Sequence, residues 1–224
     1  MKIRKISCLL ALFCLSMSAE AAIELQATYT DKNGVEETTS KDFNAEAPLH
    51  VHFTPLNVPT DEGTSIEWHF SHPTSGTHVT RYDTETDYTF VLSGINKVTL
   101  YQKKGNETVD SASINITITE SHLEMPNAFS PNNDGTNDVY RAKQDKYKSI
   151  VEFHAYIFNR HGQKLFEWTD ITKGWDGTYK GSPVKDGVYF VYVKARGADG
   201  VEYNIRRDVN LIRNFNETTK SNNE

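Results

Sequence analysis

The sequence predicts an all-β protein: two consecutive β-sandwich domains of immunoglobulin-like type behind a signal peptide. Three observations carry this. From Ala22 onward the chain is a series of short segments that alternate apolar and polar residues, separated by clusters of Gly, Asn, Asp and Pro. No segment of convincing length repeats apolar residues at the helical period. The 224 residues include eleven Tyr, eleven Phe and three Trp, which is large apolar surface enough for two cores of about 100 residues each.

Taken in order, residues 1–21 read as a signal peptide. Lys2, Arg4 and Lys5 precede an apolar run from Ile6 to Met17, and Ala19-Glu20-Ala21 offers small residues where a signal peptidase reads. The run is too short for a membrane span, which needs about 20 residues, and no later segment is apolar for as long, so no transmembrane segment is expected in the mature chain. Both cysteines, Cys8 and Cys14, fall inside this segment, so no disulfide is expected after its removal.

Residues 22–122 form the first expected sandwich. Strands are read near Glu24 to Thr30, Leu49 to Thr54, Ser65 to Phe70, Tyr88 to Leu92, Lys97 to Gln102 and Ser113 to Thr119. Leu49, Val51 and Phe53 share one face, as do Ile66, Trp68 and Phe70, while His50, His52, Glu67 and His69 take the other. Glu120 to Pro126 joins the halves, with a boundary near Leu123.

Residues 123–213 form the second. A hairpin turns at Asn159-Arg160-His161-Gly162, where Asn and Gly tolerate positive φ, between Val151 to Phe158 and Gln163 to Trp168. Another turns at Ala198-Asp199-Gly200. Between them Val188 to Ala195 is apolar on both faces, which predicts a strand covered on both sides. Because the cores are read as separate, deleting residues 124–224 is expected to leave the first domain folded. Residues 214–224 read as a flexible polar tail.

Charge narrows the function. With 24 Lys plus Arg against 30 Asp plus Glu, the net charge is −6, and the broad positive field needed for nucleic-acid binding is missing. No nucleophile elbow, zinc-protease helix or phosphate loop occurs, so no catalysis and no cofactor are expected.

The second half carries motifs that resemble a known family. Pro126-Asn127-Ala128-Phe129-Ser130-Pro131-Asn132-Asn133-Asp134-Gly135 comes first, then Asn159-Arg160 with Gly162-Gln163, and Gly174-Trp175-Asp176-Gly177. Asp186-Gly187-Val188-Tyr189 and Leu211-Ile212-Arg213 follow. In this order the motifs resemble the gliding motility-associated C-terminal domain, the type B sorting domain of type IX secretion. The resemblance implies passage through the periplasm and export to the cell surface or medium. It also implies that this domain is the address, read by the type IX translocon and an outer-membrane partner of the PorP/SprF type. The sequence departs from the family at His161, where an aromatic residue is usual, and at Arg207, where Gly is usual. Eleven residues also follow Arg213. The first half is similar, more loosely, to polycystic-kidney-disease (PKD) domains through Ile66-Glu67-Trp68-His69-Phe70 and Tyr88-Thr89-Phe90, with Ser71-His72-Pro73 in place of the usual Gly-Asp-Gly.

Three constellations invite chemistry, each with a plainer reading. His50, His52, His69, His72 and His78 suggest zinc, but in an immunoglobulin-like order the strands of His50/His52 and of His69 belong to opposite sheets. Solvent-exposed histidines are the preferred account. Asn132 to Asp138 alternates oxygen donors around Gly135 as calcium loops do, yet Ser130 and Arg141 stand where an EF-hand needs its end ligands. A turn closed by Asx side chains accounts for the same residues. Asp176 beside Trp175 has no second carboxylate at a predictable distance for acid–base work. The sequons at Asn106, Asn115 and Asn216 read as ordinary surface residues, and Asp110-Ser111-Ala112 resembles a bacterial O-glycosylation acceptor.

The leading expectation is a non-enzymatic secreted or surface protein with a small adhesive or structural passenger for a surface glycan or protein. The alternatives are an assembly or adaptor subunit of the surface machinery, and a carbohydrate-binding module using exposed rings such as Tyr82 and Tyr101.

Overall fold

The computed structural model describes residues 21–59 and 62–213. The expected tail, and all of the expected signal peptide except Ala21, lie outside the described residues.

The molecule is all-β, as the period-two segments require. In the first half, β1 (Glu24–Thr30), β2 (Glu36–Thr39), β3 (Phe43–Ala45), β4 (Leu49–Leu56) and β5 (Thr64–His72) are followed by β6 (Thr77–Arg81), β7 (Thr86–Phe90), β8 (Gly94–Lys104) and β9 (Glu107–Ile118). They form two facing sheets in the orders β2-β1-β4-β7 and β3-β9-β8-β5-β6. Alternation fixes which side chains meet between them. Val51 and Phe53 from one sheet and Trp68 and Phe70 from the other are fully buried. The Phe53 ring lies 6.0 Å from Trp68 and 5.5 Å from Phe70. The indole N–H of Trp68 donates to Asp83 O at 3.0 Å, so the buried ring keeps no unpaired donor.

In the second half, β10 (His122–Leu123), β11 (Ala128–Phe129), β12 (Tyr147–Lys148), β13 (Ile150–Phe158) and β14 (Lys164–Trp168) are followed by β15 (Thr178–Tyr179), β16 (Ser182–Pro183), β17 (Gly187–Gly197) and β18 (Glu202–Leu211). One five-stranded sheet, β11-β18-β17-β13-β14, carries the core on a single face. The layer over that face consists of the two-stranded ribbons β10-β12 and β15-β16 and the loops between them.

This arrangement corrects the expectation for Val188 to Ala195. Tyr189, Val191 and Val193 are buried, but Val188 is 49% and Phe190 44% exposed, so β17 is covered on one face only. Aromatic and β-branched residues suit a pleated surface whether or not a second layer covers it, and the composition of a strand does not report coverage.

The halves meet along a seam. Ala198, in the β17–β18 turn, is buried in the first core, and Val151 packs against it. The Ser149 hydroxyl lies 2.9 Å from the Thr119 hydroxyl and accepts from Ala47 N at 3.2 Å. Backbone bonds run from Ala198 N to Ser149 O and from Ser93 N to Ala198 O. The cores are distinct, but one residue of the second half completes the first.

Candidate functional site

Residues from each of the motifs meet at the end of the five-stranded sheet that points away from this seam. β13 starts at the seam with Ile150 and ends at Phe158, where the Asn159–Gly162 turn follows. β17 enters at that same end through Asp186-Gly187, paired with Leu211 where β18 finishes. β11 runs parallel to β18, with Phe129 opposite Leu211, so Pro131 also arrives there.

Arg213 ties these pieces together. Its Nη1 donates to Asp186 Oδ1 at 2.7 Å and to Val184 O, its Nη2 donates to Gly177 O at 3.0 Å, and its backbone N–H donates to Asp186 Oδ2 at 2.9 Å. The backbone N–H of Arg213, against the opposing effect of burial and with help from the guanidinium, holds the Asp186 carboxyl below its ordinary pKa. Gly177 has φ +79°, and a Cβ there would stand 3.0 Å from Pro131 Cγ and 3.2 Å from Arg213 Nη2. A side chain would wedge these segments apart.

Beneath the pole lies an aromatic cluster. Phe129, Trp175 and Tyr189 pack with Tyr140, at centroid distances of 5.4 Å for Phe129–Trp175, 5.1 Å for Trp175–Tyr189 and 5.7 Å for Phe129–Tyr140. Each polar tip is satisfied: Trp175 Nε1 donates to Thr178 O, Tyr189 OH to Lys185 O and Tyr140 OH to Pro126 O. Burial pushes the Tyr140 phenol pKa far up. Tyr140 escaped the sequence reading because Tyr140 and Ala142 alternate with Arg141 over too short a span to mark a strand; the local signal is that one buried-side pair beside Val139.

The loops are held by their own side chains. Asp138 accepts from Asn132 N, Asn133 N and Gly135 N, and Asp134 from Thr136 N, so the oxygens of Asn132 to Asp138 close an Asx-type turn. Asn159 Oδ1 accepts from His161 N and Gln163 N. Gly162 takes the positive φ of this turn, and Asn159 closes it through its side chain. Asp176 caps Thr178 through the backbone N–H and the hydroxyl, both to Oδ1. Asn127 O accepts from Asn210 N. Most motif residues therefore hold one another, while Arg160, His161, Asp176 and Asp186 remain exposed.

Of the two departures, His161 is on the exposed turn, and Arg207 is turned inward, where its Nη1 donates to Met125 O. Arg207 therefore fixes the segment between β10 and β11 where the chain enters the domain.

The histidines divide as their strands do. His50 and His52 lie on the four-stranded sheet, beside Asp87 and Glu85 at 3.0–3.5 Å, and His69 and His78 lie on the five-stranded one. His72 is buried, which corrects the expectation of an exposed ring: its Nε2 donates to Ser93 O at 2.8 Å and its Nδ1 accepts from Ser75 N. No group of three or more His, Cys, Asp or Glu among the described residues is arranged to hold a metal ion. No described helix is long and apolar enough to cross a membrane.

Residues 123–205 match the CHU_C Type IX secretion signal domain. The match supports export by type IX secretion. It covers the first four motifs and stops before Leu211 and Arg213. No curated protein matches the chain. Among solved structures the chain is similar to a tetra-tandem repeat in the extending region of a large adhesion protein, at 12% identity and TM-score 0.28 over 85% of this chain and 67% of that one. Dimeric latent PorU from Porphyromonas gingivalis shows 11% identity and TM-score 0.27 over 87% and 20%. The Bacteroides ovatus mixed-linkage glucan utilization locus SGBP-B, in complex with a mixed-linkage heptasaccharide, shows 13% and 0.26 over 81% and 45%. The chain thus spans less than half the length of the last two.

Proposed function

We propose that this is a non-enzymatic protein delivered through the periplasm to the cell surface or medium, with the second half as its address and the first half as a small adhesive or structural passenger. The observation that carries the reading is the gathering of Pro131, Gly177, Asp186, Leu211 and Arg213 at the end of the sheet opposite the seam. The motifs' resemblance points to an outer-membrane partner of the PorP/SprF type as the reader. A non-catalytic role is supported by the use made of Asp176, whose Oδ1 caps Thr178.

The carbohydrate-module alternative has less support. Tyr101 is engaged by the edge of His69 at 4.8 Å and by Lys103 over its ring, and Tyr82 projects separately from the turn after β6. These rings offer no row on which a sugar chain could lie.

The test is export. Residues 124–224 fused behind a Sec-exported reporter should bring it to the surface of a host with a working type IX system, read as protease accessibility on intact cells. Removing them from the native chain should trap the first half in the periplasm. Equal surface accessibility of the truncated and full-length chains would sink the proposal.

A further inference from the structure

Two surfaces play no part in the export reading. The first is the open face of the second-half sheet. Phe158 pairs with Phe190 and Tyr156 with Tyr192 across β13 and β17, and Phe190 is about half exposed. Arg206, directly opposite Tyr192 on β18, sits 4.9 Å from that ring's centroid, and Lys194 sits 5.7 Å from it. On the same face Lys164 is paired with Glu167 and Arg196 with Glu152, but among the described residues neither Lys194 nor Arg206 forms an ion pair. Asp208 stands opposite Phe190, at the margin of this centre. With two cations over Tyr192, a sugar ring has no free aromatic face there. An acidic protrusion carrying an aromatic side chain would offset both charges and cover Phe190.

The second surface is such a protrusion. The β6–β7 connection reads Tyr82-Asp83-Thr84-Glu85, followed by Thr86 and Asp87, and Tyr82 is 71% exposed. It lies at the end of the first half remote from the seam, since β7 runs from Thr86 to Phe90 and Ser93 already bonds Ala198 at the seam. Its base is pinned: Trp68 Nε1 donates to Asp83 O, and Arg81 Nη1 donates to Asp87 O at 2.7 Å. A pinned loop loses little freedom on docking.

We propose that the chain associates head to tail with copies of itself, the Tyr82–Asp87 segment of one copy docking on the Phe190–Tyr192–Arg206 face of the next. The contact joins two different surfaces, so it is heterologous, and unless its rotation closes a ring it propagates as an open filament. Because one loop on one sheet face is a small interface, each contact is weak and becomes populated where copies are crowded. The inference goes beyond export and does not depend on it.

Sedimentation of the purified chain over a wide concentration series tests the proposal. The weight-average mass should climb with concentration at low salt and fall back when salt screens the contact. Lys194→Glu with Arg206→Glu in one variant, and Asp83→Lys with Glu85→Lys in another, should each abolish the climb. Mixed in equal amounts, the first variant's acidic loop meets the second's cationic face, and the second's reversed loop meets the first's reversed face. The mixture should therefore recover the climb that neither variant shows alone. If a charge-reversed chain fails to fold, the solvent-facing pair Phe190→Ser and Tyr82→Ser serves in the same mixing design, with a one-to-one pair as the expected product. A wild-type chain that stays monomeric throughout, a reversal that leaves the climb intact, or a mixture that stays monomeric would overturn the proposal.

Discussion

Gly174 shows how a single residue can set the geometry of the motif pole. Tyr140 and Trp175 exchange backbone hydrogen bonds, Tyr140 N to Trp175 O at 2.8 Å and Trp175 N to Tyr140 O at 3.1 Å. A Cβ on Gly174 would stand 2.3 Å from Tyr140 O, which is backbone and cannot rotate away. Gly174→Ala should cost about 1–3 kcal/mol or more of stability by overpacking, measured by denaturant unfolding, and a neutral result would mean the bridge is soft. Asp186 makes the pole sensitive to acid. Its folded-state pKa lies below the value of 3.8 for a free carboxyl, so the pairing with Arg213 stabilises at pH above that value and is lost as pH falls through the folded pKa. The thermal midpoint of Asp186→Asn should therefore lag the wild type at neutral pH and converge with it as the pH falls below 3.8. A gap that does not narrow on acidification would show that the carboxylate charge contributes nothing.

At the scale of elements, the seam changes what truncation should do. Ala198 enters the first core from the β17–β18 turn, and Ser149 serves both halves through its hydroxyl and carbonyl. Residues 22–122 alone should still fold, because Phe53, Trp68 and Phe70 lie within them, but with a lower thermal midpoint than the same half in the full chain. Identical midpoints would mean the seam contributes no stability. The sequence showed the strands but not the seam, for a physical reason. β1, β4, β5 and β13 bury one face and leave the other wet, and that leaves a period-two trace. β2, with Glu36, Glu37, Thr38 and Thr39, and the short edge strands β3 and β6 bury too little to leave one. Small residues such as Ala198 and Ser149 carry no hydrophobic signal either. At the candidate site, the motif spelling marked residues that the fold brings to one end of the sheet. That Arg213 holds Asp186 and Gly177 together depends on strand ends brought close by topology, which no local pattern encodes.

For the whole molecule, the seam and the motif pole occupy opposite ends of the second-half sheet, so the two ends of this domain are not equivalent as attachment points. Cargo placed before residue 124 leaves from the seam side, where the native passenger already sits. The chain past Arg213 leaves from the motif pole, beside Asp186, Gly177 and the exposed Arg160 turn. If the pole is what the export machinery reads, a folded reporter joined after Glu224 should block export while the same reporter joined ahead of residue 124 passes. Both fusions should keep the same unfolding transition for the second half, because neither attachment touches its core. Protease accessibility on intact cells, read beside the periplasmic content, separates the outcomes. Export of the two fusions at equal rates would place recognition elsewhere on the domain, with the open sheet face of Phe190 as the next surface to substitute.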